Sequence, residues 1–267
     1  MIIVKVGGGK KIRWNYILSD LKKIIDKGQQ VVVVHGASET RDEIALKMGY
    51  PTKTVTSPSG VSSVFTDQMA LDIFLMSYCG LTNKKIVAQM QGVGINAVGL
   101  SGIDGNMWQA KAKPNLIVKE DGKTKFVRGN LSGRVEKVEP KLIFLLLKNG
   151  FVPVLSAPAL SFESKIVNTD NDWATAVMAG ALGAKSITYL FEAPGLLRDF
   201  NEPKSKIDKI DQKLLKENMK FAKGRMKKKL LGAGKALDLG VSKIFFGDGR
   251  IKNPISKALK GGGTVIL

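Results

Sequence analysis

A three-layer α/β/α sandwich, with helices on both faces of a mainly parallel central sheet, is predicted by three features of the 267-residue chain. Short β-branched runs alternate with longer amphipathic stretches over the whole length. The short runs are apolar at nearly every position, as strands buried on both faces are. Glycine follows most of the amphipathic stretches.

The predicted strands are Ile2–Val6, Val31–His35, Ala97–Gly99, Val152–Leu155, Ile187–Phe191, Ile244–Phe246 and Thr264–Ile266. Helices are predicted over Trp14–Lys27, Glu39–Met48, Asp67–Cys79, Pro140–Asn149, Asp172–Leu182, Lys209–Met219 and Lys227–Leu239. Gly28, Gly49, Gly80, Gly150, Gly183 and Gly240 stand where a left-handed cap ends a helix. Two stretches break the alternation. The strongly basic segment Lys111–Arg134 reads as a β-hairpin, Leu116–Val118 against Lys125–Val127 through an Asp121-Gly122 turn, or with equal claim as a solvated excursion. Pro158–Lys165 reads as a polar loop joining two halves, 1–163 and 164–267, that share one continuous sheet.

Composition excludes several chemistries. Cys79 is the only cysteine and His35 the only histidine, which leaves no intramolecular disulfide, no His/Cys zinc site and no Ser–His or Cys–His triad away from His35. A metal site is therefore not expected. No apolar run reaches the ~18 residues of a membrane span. Met1-Ile2-Ile3-Val4-Lys5 reads as a strand and not as a signal peptide, so a cytoplasmic location is expected. Lys and Arg number 42 against 23 Asp and Glu, a formal charge of +19 that draws the chain to anionic partners without saying which.

Four clusters carry candidate chemistry. Lys5-Val6-Gly7-Gly8-Gly9 closes the first strand with glycines that leave backbone N–H groups bare for a phosphate, while Lys5 points its ammonium into the same space. Neither the P-loop spacing nor G-x-G-x-x-G is present, and a tight turn beside a solvated lysine explains the pattern equally well. Val31–Ser38 is a second buried strand running into a small-residue turn, placing two such turns along one edge of the sheet, where open α/β folds bind ligands. His35 at that strand end reads as a loop-fixing hydrogen-bonder more readily than as a general base. Asn168-Thr169-Asp170-Asn171-Asp172 supplies more polar side chains than the helix cap it must contain requires. Gly224-Arg225-Met226-Lys227-Lys228-Lys229 places lysines at a helix start, where the dipole disfavours them, which points to an anionic ligand there.

In this order and spacing the pieces resemble the amino-acid kinase family, in its acetylglutamate kinase branch. The likeness runs from Met1 to Leu267 and includes KVGGG at Lys5–Gly9, VVVVHGAS at Val31–Ser38, TNKKIVA at Thr82–Ala88, AVGLSGIDG at Ala97–Gly105, the Val167–Ala184 segment, GRMKKKL at Gly224–Leu230 and FFGDGRI at Phe245–Ile251. Thr56–Gly60 and the basic Arg128–Arg134 segment are most similar to relatives that act on 2-aminoadipate or glutamate attached to a small acidic amino-group carrier protein in lysine and arginine biosynthesis.

The resemblance implies phosphorylation of a side-chain carboxylate by ATP, with Mg2+ held mainly through the ATP phosphates, giving an acyl phosphate. It implies catalytic roles for Lys5, Lys229 and Asp172; ATP or phosphate contacts at Gly7, Gly8, Glu192, Gly195 and Met226; substrate contacts at Gly36, Ala37, Val64 and Asn168. Carrier contacts are implied at Lys111, Lys113, Lys123, Lys125, Arg128 and Arg134, and a homodimer through the Asp67–Cys79 helix. Neither a membrane nor nucleic acid is expected as a partner. Departures bear on the substrate: the family's carboxylate-binding arginine falls on Val64, the second turn reads Gly36-Ala37-Ser38, and Arg225 replaces a glycine. Arg41, Lys53 and Arg225 are the cations that could compensate. An N-acetylglutamate kinase, or a kinase of another small acid, is the alternative. A basic binding module with a decayed kinase site is the alternative of another class.

Overall fold

Alternate residues of the first two strands divide between two cores on opposite faces of one sheet. Ile3, Val32 and Val34 pack on one side, and Val4, Val6, Val31 and Val33 on the other. This two-residue alternation is the pleat at work, and it makes the molecule three layers thick. The computed structural model describes residues 1–120 and 122–267. The turn residue Asp121 lies outside the described residues.

In chain order the elements are β1 (Ile2–Val6), α1 (Trp14–Ile25), β2 (Val31–His35), α2 (Ser38–Lys47), β3 (Thr54–Thr56), β4 (Ser62–Val64), α3 (Gln68–Leu75), α4 (Asn83–Gly92), β5 (Ala97–Ser101), β6 (Trp108–Ala112), β7 (Asn115–Glu120) and β8 (Lys123–Arg128). They continue with β9 (Ser132–Val138), α5 (Lys141–Lys148), β10 (Val152–Ser156), β11 (Ala159–Ser161), β12 (Ile166–Thr169), α6 (Asn171–Ala181), β13 (Ser186–Phe191), β14 (Lys209–Ile210), α7 (Leu215–Asn218), α8 (Arg225–Asp238), β15 (Lys243–Asp248), α9 (Pro254–Leu259) and β16 (Thr264–Ile266).

The central sheet has eight strands in the order β14-β16-β15-β13-β1-β2-β10-β5. All pairings are parallel except that of β15 with β16. Helices α1, α4 and α9 contribute Ile17, Leu21, Ile86, Met90 and Ile255 to one core; α3, α5, α6 and α8 contribute Phe74, Ile143, Ala174 and Ala233 to the other. Because β1 is central, with β2 on one side and β13 on the other, the ends of β1, β2 and β13 open side by side.

Several sequence-based expectations are corrected. The helix expected over Lys209–Met219 is broken: Lys209 and Ile210 join β16 as an edge strand, the Asp211 side chain caps a tight turn by accepting from the Lys213 N–H, and only Leu215–Asn218 is α-helical. Sheet pairing and a local cap outweigh helical periodicity there. The Pro158–Lys165 connection contains β11 and a turn closed by the Ser161 N–H on the Lys165 carbonyl at 2.7 Å, part of a closed four-stranded unit β11-β12-β9-β6. Gly80 does not end a helix. It sits in a π-helical turn, Met76–Thr82, that carries α3 straight into α4, whereas Gly28, Gly49, Gly150, Gly183 and Gly240 do adopt positive φ. The basic segment is a hairpin, β7 against β8, with Ile117 opposite Phe126.

Candidate functional site

Lys5 faces the same side of the sheet as Ile3, two residues back, which is the side covered by α6 and α8. Asp172 stands in the first turn of α6, whose N-cap is Asp170: its Oδ1 accepts from the Trp173 N–H at 3.0 Å. Lys229 lies in the second turn of α8. Gly232, one turn further along α8, allows the approach, because a Cβ there would stand 2.9 Å from the Asp172 carbonyl oxygen. The result is a buried trio. Lys5 Nζ is 2.6 Å from Asp172 Oδ1, and Lys229 Nζ donates to Oδ2 at 3.0 Å. The three residues are 5%, 6% and 8% exposed.

Electrostatics define this trio. Burial disfavours the charge on Asp172, but the Lys229 and Lys5 ammoniums outweigh it and hold the carboxyl well below the usual carboxylate range. Burial, with the nearby Lys5 charge, lowers the Lys229 pKa against the pull of Asp172. Two cations share one anion, so a net positive charge remains in a poorly solvated place. Such a surplus attracts a polyanion far more strongly than it would in water.

The two glycine turns meet directly. A Cβ on Gly8 would stand 2.5 Å from the amide nitrogens of Ala37 and Ser38, and one on Gly36 would stand 2.9 Å from the Gly8 nitrogen. Gly7 and Gly36 are not the bare donors expected from the sequence: Gly7 N–H bonds the Leu190 carbonyl at 2.8 Å and Gly36 N–H the Val6 carbonyl at 2.9 Å. Continuing the sheet ladder one residue past β1 and β2 takes both. Gly8 N–H, with that of Ser38 at the start of α2, has no acceptor among the described residues and forms the donor cradle beside the trio, while the Ala37 N–H meets the buried Tyr78 hydroxyl.

The remaining nucleotide-side candidates take different positions. Glu192, just after β13, caps the first glycine loop: its Oε1 accepts from the Lys11 N–H at 2.6 Å, and its carboxylate occupies the space where a Gly9 side chain would be. Gly195 packs against Thr264 Oγ1, and Met226 packs on the core from the first turn of α8. The lysines opening α8 have partners within the chain. Lys227 Nζ donates to the Ser59 carbonyl at 2.8 Å, Lys228 Nζ lies 3.4 Å from Asp170 Oδ2, and Lys229 holds Asp172. Their placement at a helix start is thus offset without a bound anion.

On the other side of the cradle, Val64 and Asn168 line one cavity of about 430 Å³ together with Arg41, Tyr50, Lys53 and Phe74. Asn168 Nδ2 donates to Thr66 Oγ1 at 2.9 Å. His35 is fully buried, 3.0 Å from Asn83 Nδ2, and burial pushes its pKa down to about 4. It is a neutral structural group and no general base. Sequence reasoning passed over Asn171, whose Nδ2 donates to the His35 carbonyl and whose Oδ1 accepts from the Ala157 N–H. The only signal available was a second amide beside Asp172.

Lys111, Lys113, Lys123, Lys125, Arg128 and Arg134 are all exposed. Lys111 pairs directly across from Arg134 on β6 and β9, an arrangement of like charges that weakens a sheet unless an anion answers it. Arg134 is also stacked 3.5 Å above the Trp173 ring at the start of α6, tying this basic surface to the helix that carries Asp172.

Comparison with known proteins identifies the family. The sequence model of the amino acid kinase family matches residues 1–248. The chain is 46% identical over 266 residues to a LysW-aminoadipate kinase of Deinococcus radiodurans, covering 100% of this chain and 91% of that one. It is 40% identical over 268 residues to a LysW-aminoadipate kinase of Thermus thermophilus, covering 100% of both. Among solved structures, carbamate kinase from Giardia lamblia bound to AMP-PNP superposes with a TM-score of 0.70 at 17% identity, over 100% of this chain and 97% of that one. With a family match over most of its length, relatives at this identity and the same fold, the chain belongs to the amino acid kinase family.

Proposed function

We propose that this protein phosphorylates the side-chain carboxylate of 2-aminoadipate, and of glutamate, carried on a small acidic amino-group carrier protein, using ATP. The observation that carries the reading is the convergence of Lys5 and Lys229 on Asp172 beside the Gly8–Ser38 cradle. The relatives' names supply the substrate class, since both place a LysW-linked aminoadipate on the acceptor side.

A carboxylate at neutral pH is already a nucleophile, so no general base is needed. One carboxylate oxygen forms a bond to the γ-phosphorus of ATP as the bond to the β,γ-bridging oxygen breaks. An acyl phosphate and ADP result. The obstacle is an anion approaching a polyanion, and positive charge on the migrating phosphoryl group is what lowers it. Lys5, from the β1 side, and Lys229, from the α8 side, provide that charge. Asp172 fixes both ammoniums before the substrates arrive, and the N–H groups of Gly8 and Ser38 take phosphoryl oxygens. Residues 164–267, with Glu192, Gly195 and Met226, form the nucleotide half; residues 1–163, with Gly36, Ala37, Val64 and Asn168, form the acceptor half.

Lysines and amide N–H groups suit a polyphosphate. Among the described residues no three His, Cys, Asp or Glu side chains converge to hold a metal. Mg2+ is assigned to the ATP phosphates, where it would supply further charge neutralisation. A carrier rich in carboxylates would dock on the β7–β8 hairpin and the Lys111/Arg134 pair by charge complementarity. The intact trio disfavours a decayed site serving only as a binding module. A homodimer in the cytoplasm completes the proposal.

The test is an ATP-dependent hydroxylamine-trapping assay with carrier-bound aminoadipate, carrier-bound glutamate and free N-acetylglutamate. Turnover is expected on the carrier conjugates; turnover on free N-acetylglutamate alone would overturn the reading.

A further inference from the structure

We propose that Arg41, assisted by Lys53, forms a carboxylate subsite in the cavity beside the glycine cradle, gripping the α-carboxylate of an N-acylated dicarboxylic amino acid in place of an arginine at position 64. The inference rests on the kinase reading for the identity of the acid, and on the cavity alone for the subsite.

Val64 itself offers no charge to a carboxylate in this cavity, but Arg41 and Lys53 line the same cavity. Arg41 lies in the first turn of α2, the helix that begins at the Ser38 donor, so one element positions both the phosphoryl cradle and the guanidinium. The Arg41 side chain is only 12% exposed. Asp42, its neighbour, holds it from one edge: Nε and Nη2 both donate to Asp42 Oδ1, at 3.0 and 2.7 Å. The Thr52 hydroxyl donates to the same oxygen at 2.7 Å. Three donors thus meet one oxygen, and the other guanidinium N–H groups are available to a ligand.

Lys53 adds a second cation at the rim, its ammonium 5.7 Å from the centre of the Phe65 ring. Asp67 also lines the cavity, but its carboxylate already accepts from the Ala70 N–H at 3.0 Å and the Tyr50 hydroxyl at 2.5 Å. Ala45, Val64, Ile73 and Phe74 make the remaining wall apolar, as a methylene chain requires. Two cations, an apolar wall and the Asn168 amide in one cavity, reached from the helix that begins at Ala37–Ser38, suit an acid with a methylene chain. Arginine suits the task because it stays charged and meets carboxylates in a planar, two-point geometry.

The experiment uses the full chain with N-acetyl-2-aminoadipate and its α-carboxamide, each titrated calorimetrically and each offered as acceptor in the hydroxylamine-trapping assay. The wild-type protein should prefer the acid to the amide by roughly 30-fold or more. Arg41→Gln should lose that preference and raise KM for the acid with kcat within about threefold. Arg41→Lys should recover part of it, and adding Val64→Arg to Arg41→Gln should restore it. Lys53→Gln should weaken acid binding by a smaller factor. Should Arg41→Gln not fold, the wild-type preference and Lys53→Gln decide. Equal binding of acid and amide by the wild type, or an unchanged preference in Arg41→Gln, would overturn the subsite. An Arg41-dependent preference without hydroxamate formation from either the free acid or carrier-bound aminoadipate would leave the subsite standing and remove the kinase reading instead.

Discussion

The Lys5–Asp172–Lys229 trio and the β7–β8 hairpin are both cationic, yet they obey different physics. In the trio, three charges lie within hydrogen-bonding reach, nearly sealed from water. Each is indispensable to the others, because desolvation makes an unpaired charge expensive. On the hairpin, the charges are exposed and individually replaceable, and Lys125 already pairs with Glu120 on the neighbouring strand. Their sum matters more than any member, and salt screens it. The same residue type therefore acts by position in one region and by number in the other.

Removing the shared anion should break the buried region most severely. Asp172→Ala leaves two buried ammoniums repelling each other, and should cost about 3–5 kcal/mol of folding stability in urea titrations together with essentially all turnover. Removal of either cation comes next. Lys5→Ala and Lys229→Ala should each lower kcat by about 10²–10³-fold while KM for ATP changes only a few-fold, since the charge acts chiefly on the transferring group. A loss confined to KM would assign these lysines to ground-state binding.

Acid should separate the two regions as well. The unfolded chain protonates His35 near its ordinary value of about 6.5, whereas the folded protein holds it to about 4. Between these values the unfolded state binds the extra proton, so stability is complete above the upper value and falls as pH drops towards the lower one, by roughly 3 kcal/mol in all. Denaturation midpoints at successive pH values should show the decline, and His35→Gln should flatten it. Smallest per residue should be the hairpin's response. Neutralising Lys111, Lys113, Lys123 and Lys125 together should weaken carrier binding by roughly tenfold at low salt, about 0.2–1 kcal/mol for each exposed charge. The loss should shrink as salt rises, with turnover on a free acceptor unchanged. Binding that ignores salt would remove the hairpin from the docking surface.

Legibility from the sequence followed the range of the interaction. Lys5 could be placed because two-residue alternation in a buried strand puts it on the same face as Ile3. Gly8 could be placed because glycines after a strand are a local signal, and a cap at Asp170 or Asp172 because a helix cap lies next to its helix; the structure chooses Asp170. The β14 edge strand was hidden, since Lys209–Met219 is amphipathic at helical spacing and only pairing with β16 makes its first two residues extended. The N–H groups of Gly7 and Gly36 looked free because their acceptors, Leu190 and Val6, are chosen by sheet order. Arg41 was one of three cations with no reason to prefer it until α2 was seen to begin at the cradle and Arg41 to line one cavity with Val64.

The amino-acid sequence by itself determined the layered class, the buried parallel strands and the glycine turns that close two of them, because periodicity and turn chemistry act over a few neighbouring residues. Only the tertiary structure decided how Lys5 and Lys229 share Asp172, which amides remain available, and which cations line one cavity with Val64. Those outcomes depend on strand order and on how closely α8 approaches α6, contacts between residues far apart in the chain that no local pattern encodes.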